Sequence, residues 1–555
     1  MAHPWLAQYP AGVPAGIDPA AYPSVVALLA ESFDRHAARP AFRFMGRELS
    51  YERVDHLSRA FAAWLQGQGL VRGDRVAIML PNVPQFPVAV AAILRAGLVV
   101  VNVNPLATPR DLEHQLKDSG AKAIIVLEHF AATLQQVLGS TPTRRIVIAA
   151  MGDLLGLLKG GVVNQVARKL KKMVPPFELP TAVRFNEAIA QGRSMAFVPP
   201  RVGPEDIALL QYTGGITGVS KGAVLLHRNL VANLLQMQAW YAPAFKRIGA
   251  AEQPVNVCAW PLHQIFGFSG NLLLGMMQGG CGILLPNPRD IPGVLKELAG
   301  QRIHSFPAVN ALFHALASHT DFAELDCSAL VLCMGGGMAV QPATARLWLK
   351  LTGCALCEGY GLSEASPLVS CSPVDSTAFT GGIGVPLPGT VMKIIDDEGR
   401  SLPPGQPGEI VVQGPQVMAG YWQRPDETAR VMMADGFLRT GDMGVMDERG
   451  RFRLVDRKKD LIVVGGLTIV PNELEERVAA MPGVLEVAAV GVPDAGTDEA
   501  VKLVVVRKDP ALTEADVRRF CETHLAGYQR PKIVEFRTEL PRTSVGKLLR
   551  RDLRA

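Results

Sequence analysis

Short aliphatic runs alternate with stretches of helical periodicity through most of the chain, and this alternation is what most restricts its fold. A helix is predicted over Tyr22–Ala38, followed by a hairpin of Ala41–Met45 and Glu48–Tyr51. The alternation then begins. Glu52–Gln66 reads as a helix, Asp74–Leu80 as a strand, Gln85–Arg95 as a helix and Leu98–Val103 as a strand. Thr108 is placed to cap the next helix, with Pro109 at its first position. That helix ends near Gly120, and Ala123–Leu127 is another strand. A second block, from Ile207 to about Leu351, has strands at Val255–Ala259, Gly282–Leu285, Ile303–Phe306 and Ala329–Cys333. Strands separated by helices pair in parallel, with the helices covering both faces. From Gly381 onward strands dominate, at Val391–Ile395, Gly408–Gln413 and Arg451–Val455. Beyond residue 458 the pattern changes again. A helix starts at Val470, strands occupy Val484–Val492 and Val501–Arg507, and Thr513 opens a helix that Gly527 ends. The prediction is an α/β protein. Its large N-terminal domain (1–458) has two doubly wound α/β subdomains plus a β-rich subdomain, and a small α+β C-terminal domain (459–555) follows.

With 555 residues, 48% of them apolar and 19% charged, the chain can bury a sizeable core and is not disordered. A net charge of +5 is too small to argue for nucleic acid, and it suits anionic ligands or a membrane surface. The eight cysteines are scattered; Cys354 and Cys357 form a CxxC with no second pair at zinc spacing, so they read as core residues. Free thiols point to a reducing compartment, and Met1–Gly16 lacks the pattern of a signal peptide, so the expectation is a cytoplasmic protein. Residues 151–175 stand apart. Leu154, Leu155, Leu157, Leu158, Val162, Val163, Val166 and Leu170 are interleaved with Lys159, Arg168, Lys169, Lys171 and Lys172. Such a segment reads as a solvated helix packed on the body, or as a peripheral contact with an anionic membrane.

The stretch from Gln211 to Gly222 follows the apolar run Ile207–Leu210 and holds four glycines, three hydroxyls and Lys221. Glycines let backbone N–H groups close on an anion, hydroxyls add donors, and the lysine adds charge. The loop differs from the common P-loop because Lys221 precedes Gly222 rather than a hydroxyl residue.

This loop resembles the signature of the adenylate-forming superfamily of acyl-CoA synthetases, luciferases and adenylation domains, and is closest to the long-chain fatty-acid–CoA ligase branch. The resemblance extends over roughly residues 20–554, with further motifs in the same order. It implies ATP, Mg²⁺ and coenzyme A as co-substrates. A fatty carboxylate attacks the α-phosphorus of ATP, and the thiol of coenzyme A then attacks the acyl carbon. By the resemblance, Thr213, Gly214, Gly215, Thr217, Gly218 and Lys221 hold phosphate. Gly335, Gly336 and Gly337 line adenine and the acyl tunnel. Tyr360 stacks on adenine, with Gly361 beside it, Ser363 bonds the α-phosphate and Glu364 coordinates Mg²⁺. Asp442 and Arg457 bind ribose, and Lys547 bridges the carboxylate and α-phosphate. Lys459 is the hinge about which the C-terminal domain is mobile. Gly420-Tyr-Trp422 and Arg424-Pro-Asp-Glu-Thr428 also fit the family and are expected to serve structure. A homodimer is compatible with the resembling branch.

Several positions depart from the family pattern. Ile216 stands for a threonine in the phosphate loop, Leu226 for another threonine, Ala107 for a tyrosine and Gly465 for a serine. His263 and Gln264 stand for Tyr-His, and Gln264 keeps hydrogen bonding at the carboxylate site without charge. These changes leave three readings: a fatty-acid–CoA ligase with altered preference or rate, an adenylating enzyme serving another acceptor such as a carrier protein, or a weakened fatty-acid- or nucleotide-binding paralogue.

Overall fold

The computed structural model describes residues 3–213, 219–457, 460–464, 467–494, 498–542 and 548–554, with the side chains of residues 457, 468 and 498 set aside. By its contacts the chain divides into two compact units. One comprises Trp5–Val391 and Gln413–Leu438, and the other comprises Met1–Pro4, Met392–Val412 and Arg439–Ala555.

The larger unit contains two extensive sheets. The eight-stranded sheet has at its centre the parallel strands Arg75–Met79, Val99–Asn102, Ala123–Leu127, Arg145–Ala149 and the start of Ile207–Thr213. Its aliphatic residues are buried on both faces, which is why these runs are continuous rather than alternating. The antiparallel strand Lys221–Leu226 returns beside Ile207–Thr213 and carries Gly420–Tyr421 at the edge. The nine-stranded sheet orders its core as Leu356–Gly361, Leu332–Gly336, Ser305–Ala308, Val255–Cys258 and Cys281–Leu284, all parallel. The N-terminal hairpin Pro40–Phe44 and Arg47–Ser50 closes one edge.

Local signals work as expected at several helix ends. Thr108 accepts the Asp111 N–H and Gly120 stops the helix in the left-handed region. At the start of the helix from His227, Leu226 offers no side-chain cap, and the Asn229 side chain accepts the Leu226 N–H at 3.0 Å. Two strands lie later than predicted, Ser305–Ala308 and Leu332–Gly336, because pairing with their neighbours, not hydrophobicity, sets their ends. Cys354 and Cys357 are buried beside and within the strand Leu356–Gly361.

The segment 151–175 is less regular than one amphipathic helix. An α-helix, Leu157–Gln165, passes into a π-helical turn, Val166–Leu170. Its apolar residues divide: Leu155 and Ala167 are buried against the body, but Leu157 is 96% exposed and Leu158 90%, while Arg168 reaches back to buried Glu128. Among the described residues no helix is long and apolar enough to cross a membrane.

The smaller unit joins the four-stranded sheet Val391–Ile395, Gly408–Gln413, Leu438–Met446 and Phe452–Arg457 to a C-terminal α+β layer. There Val484–Asp494 and Asp498–Arg507 pair antiparallel, and Ile533–Arg537 adds a parallel strand. Thr513 and Asp516 form the expected capping box. That helix ends at His524, three residues before Gly527, with Leu525 buried at its end.

Candidate active site

The strands Ile207–Thr213 and Lys221–Leu226 hold Thr213 directly opposite Lys221, so the two ends of the glycine-rich loop meet at a hairpin mouth. Gly214, Gly215, Ile216, Thr217 and Gly218 lie outside the described residues. The mouth is clamped by Asp118, at the end of the helix Pro109–Ser119. Its carboxylate accepts from Tyr212 Oη at 2.7 Å and pairs with Arg424 at 2.9 Å, and its backbone oxygen accepts from Trp422 Nε1. His114 Nε2 lies 2.8 Å from the Ser220 carbonyl oxygen. Lys221 pairs with Glu427, and its ammonium lies 5.4 Å from the Tyr421 ring centroid. Burial, with Arg424 and Arg430 nearby, holds the Lys221 pKa below its ordinary value.

Tyr360 and Gly361 end the strand Leu356–Gly361, and a short turn then carries Ser363 and Glu364. Gly361 has no room for a side chain, since a Cβ there would lie 2.2 Å from the Pro367 carbonyl oxygen. Glu364 Oε1 accepts from Tyr421 Oη at 2.8 Å, and the Glu364 carbonyl accepts the Met418 N–H. Burial and the Glu364 carboxylate raise the Tyr421 phenol well above its ordinary range, so Tyr421 donates. The two segments expected to serve structure, Gly420–Trp422 and Arg424–Thr428, thus bring Tyr421 to Glu364 and Glu427 to Lys221. Their side chains reach the site from strand and helix positions 57 or more residues away, a contact that sequence spacing does not reveal. The Gly-Tyr-Trp and Arg-Pro-Asp-Glu patterns were the available signal.

Gly335, Gly336 and Gly337 lie at and beyond the end of the neighbouring strand Leu332–Gly336. A Cβ at Gly335 would meet the Val340 side chain at 2.2 Å, and Gly337, at φ +70°, faces the Trp260 indole. Trp260 Nε1 donates to Gln264 Oε1 at 3.0 Å, so the structure brings Gln264 and the triple glycine together through one indole. Buried amides fix this segment. Asn82 donates to the Cys258 and Trp260 carbonyls and accepts the Leu262 N–H, and Gln211 donates to the His263 carbonyl. His263 is buried, neither ring nitrogen has a hydrogen-bond partner among the described residues, and burial pushes its pKa down to about 4. It is therefore neutral at physiological pH and supplies no charge in place of the missing histidine.

A buried carboxylate that sequence reasoning missed, Glu358, sits on the same strand as Tyr360. Its Oε1 accepts the Val340 N–H at 2.8 Å, and burial raises its pKa to about 7.

In the smaller unit Asp442 is buried and lies opposite Arg457 in antiparallel register. The Asp442 N–H donates to Thr440 Oγ1, and that hydroxyl donates to the Ile410 carbonyl. The Arg457 side chain, Lys459, Gly465 and Lys547 lie outside the described residues.

No group of three or more His, Cys, Asp or Glu side chains is placed to hold a metal among the described residues. A single carboxylate such as Glu364, completed by phosphate oxygens and water, is the donor set that Mg²⁺ commonly takes. The residues present therefore fit that ion as a partner of bound nucleotide.

A parallel sheet with a hydroxyl- and glycine-rich hairpin, a Tyr-Gly-Leu-Ser-Glu turn at a strand end and a separate C-terminal α+β layer defines an adenylate-forming architecture. The chain belongs to the AMP-binding enzyme family: that family's model matches residues 29–422, and the model of the AMP-binding enzyme C-terminal domain matches residues 473–547. It is 52% identical over 551 residues to a long-chain-fatty-acid–CoA ligase of Escherichia coli O6:H1, covering 99% of this chain and 97% of that one. Among solved structures, it is similar to ATP-bound MatB from Rhodopseudomonas palustris, at 28% identity and a TM-score of 0.80 over 96% of this chain and 98% of that one. The anthranilate–CoA ligase AuaEII in complex with anthranoyl-AMP matches at 25% identity and a TM-score of 0.81, over 97% of this chain and 98% of that one.

Proposed function

We propose that this chain is an ATP-dependent ligase that joins a medium- to long-chain fatty acid to coenzyme A through an acyl-adenylate. The observation that carries the reading is full-length similarity to long-chain-fatty-acid–CoA ligases combined with the Lys221–Glu364–Tyr421 arrangement. A carboxylate acylates poorly because its leaving group is poor. Converting it to a mixed anhydride with AMP corrects this, but two anions must first be brought together. In this reading Thr213 and Lys221 hold the terminal phosphates, together with the loop between them. ATP competes with Glu427 for the Lys221 ammonium. Tyr360 packs on adenine, Ser363 donates to the α-phosphate, and Asp442 with Arg457 accepts and donates at the ribose hydroxyls. Glu364, oriented by Tyr421, holds Mg²⁺, which neutralises phosphate charge. Gln264, fixed through Trp260, hydrogen-bonds the substrate carboxylate, and Lys547 bridges it to the α-phosphate. The carboxylate oxygen bonds to the α-phosphorus as pyrophosphate leaves. The thiol of coenzyme A then bonds to the acyl carbon as AMP leaves. A division at 458/459, with Lys459 as hinge, lets the C-terminal domain move between these steps.

The exposed Leu157, Leu158, Val162 and Leu170, flanked by Lys169, Lys171 and Lys172, favour a peripheral contact with an anionic bilayer on the cytoplasmic side. Co-sedimentation with anionic liposomes, lost when the three lysines are neutralised, tests it. A homodimer belongs to the same reading, and sedimentation velocity tests that.

The test of the main reading is pyrophosphate release with ATP, Mg²⁺ and a panel of fatty acids, each with and without coenzyme A. Release that coenzyme A stimulates, with an acyl-CoA product, is expected. Release that coenzyme A leaves unchanged would shift the reading to another acceptor.

A further inference from the structure

The strands Val255–Cys258, Ser305–Ala308 and Leu332–Gly336 alternate their side chains between two faces. Val255, Val257, Phe306, Ala308 and Cys333 point into an apolar core. On the other face Asn256 stands opposite Ser305, and Ser305 opposite Leu332, forming one row across the sheet. Two residues further along come Pro307 and Met334, and two further still Gly336, against the Trp260 indole. This second face lines a narrow cavity whose opposite wall includes Tyr241, Phe266 and Leu274. Tyr241 Oη donates to Met334 Sδ across it. From Gly336 back to Leu332 the sheet spans roughly 13 Å, at about 3.3 Å per residue.

The walls near Gly336 are apolar or aromatic, but the inner row is not. Ser305 Oγ donates to Asn256 Oδ1 at 3.3 Å. Gly275 leaves room for the Asn256 amide, since a Cβ there would lie 2.6 Å from Asn256 Nδ2. Asn271, only 2% exposed, joins this row from the π-helical turn Gly267–Leu273. Its Nδ2 donates to the Val257 carbonyl at 3.3 Å, but its Oδ1 has no hydrogen-bond partner among the described residues. A buried unpaired acceptor in this polar row, which Gln278 also borders, is costly unless a ligand group donates to it. A π-turn inserted in helical sequence often accompanies such a site.

We propose that this polar row selects fatty acids carrying a hydroxyl near the far end of a medium-length chain, whose O–H donates to Asn271 Oδ1. The proposal rests on the acyl-activation reading above and names its substrate class. A second carboxylate at the same place would be disfavoured: it brings only acceptors to an acceptor, and none of the described residues lining the cavity is a cation.

The experiment uses the full chain and measures kcat/KM for coenzyme-A-dependent pyrophosphate release. The substrates are unsubstituted fatty acids of increasing length and their ω-hydroxy counterparts. The hydroxy-to-unsubstituted ratio is expected to peak at one medium chain length. At that length it falls about tenfold in Asn271→Leu, the worth of roughly one hydrogen bond to a buried acceptor. Ser305→Ala, a smaller change, leaves Asn256 Oδ1 as a second unpaired acceptor in the same row, so it is expected to raise the same ratio, and it keeps the test decisive if Asn271→Leu does not fold. Turnover of unsubstituted acids with a ratio that is flat in length and unchanged in a folded variant overturns the proposal alone. Absence of turnover with every acid in the unaltered protein overturns the acyl-activation reading and this proposal together.

Discussion

Glu358 offers a sharp test of how the active-site strand is built. Its carboxyl is buried beside the triple glycine and accepts one hydrogen bond, from the Val340 N–H. Burial raises its pKa from 4.5 to about 7, because the charged form loses more solvation than that single bond returns. The sign follows from proton counting. Between those two values the folded chain holds a proton that the unfolded chain has released. Stability therefore falls as pH rises from about 4.5 to about 7, and the loss is complete above that. At about 1.4 kcal/mol per pH unit, the gap amounts to about 3 kcal/mol. Glu358→Gln keeps an acceptor for Val340 and cannot ionise. The variant is expected to match the unaltered protein in stability at about pH 4 and to exceed it by about 3 kcal/mol at about pH 8. Urea unfolding followed by tryptophan fluorescence reads this, since Trp348 is buried in the adjoining core of the same unit. A stability difference of the same size at both pH values would refute the reasoning.

Other substitutions test the remaining contacts. Lys221→Ala should lower kcat/KM for ATP by roughly 10- to 100-fold, the worth of a charge-assisted hydrogen bond, with the fold intact by circular dichroism. Tyr421→Phe removes the donor to Glu364 and should raise the Mg²⁺ concentration needed for half-maximal pyrophosphate release by several-fold, with thermal stability little changed. Asp118→Ala leaves Tyr212 Oη and Arg424 without their shared carboxylate, and should destabilise the larger unit by about 2–4 kcal/mol in urea titrations. Gly361→Ala drives a Cβ into the Pro367 carbonyl and should abolish pyrophosphate release even where soluble protein is recovered.

Much of this protein was determined by sequence patterns that act locally. Continuous aliphatic runs such as Ala123–Leu127 form strands because both of their faces are buried. Thr108 with Pro109, and Thr513 with Asp516, start helices because capping needs only a few neighbouring residues. The glycine-rich loop and the Tyr-Gly-Leu-Ser-Glu motif were legible because each is a run of contiguous residues. Other features depend on which strands become neighbours and in what register, and so only the tertiary structure decided them. Register across the nine-stranded sheet places Asn256, Ser305 and Leu332 in one row, though each lies on a different strand. The edge strand Gly420–Tyr421 brings Tyr421 to Glu364, and the helix Pro425–Val431 brings Glu427 to Lys221. Leu157 and Leu158 carry the same apolar pattern as core residues, yet nothing packs over them. Hydrophobic periodicity states which residues can be buried together, while long-range strand pairing decides which ones meet.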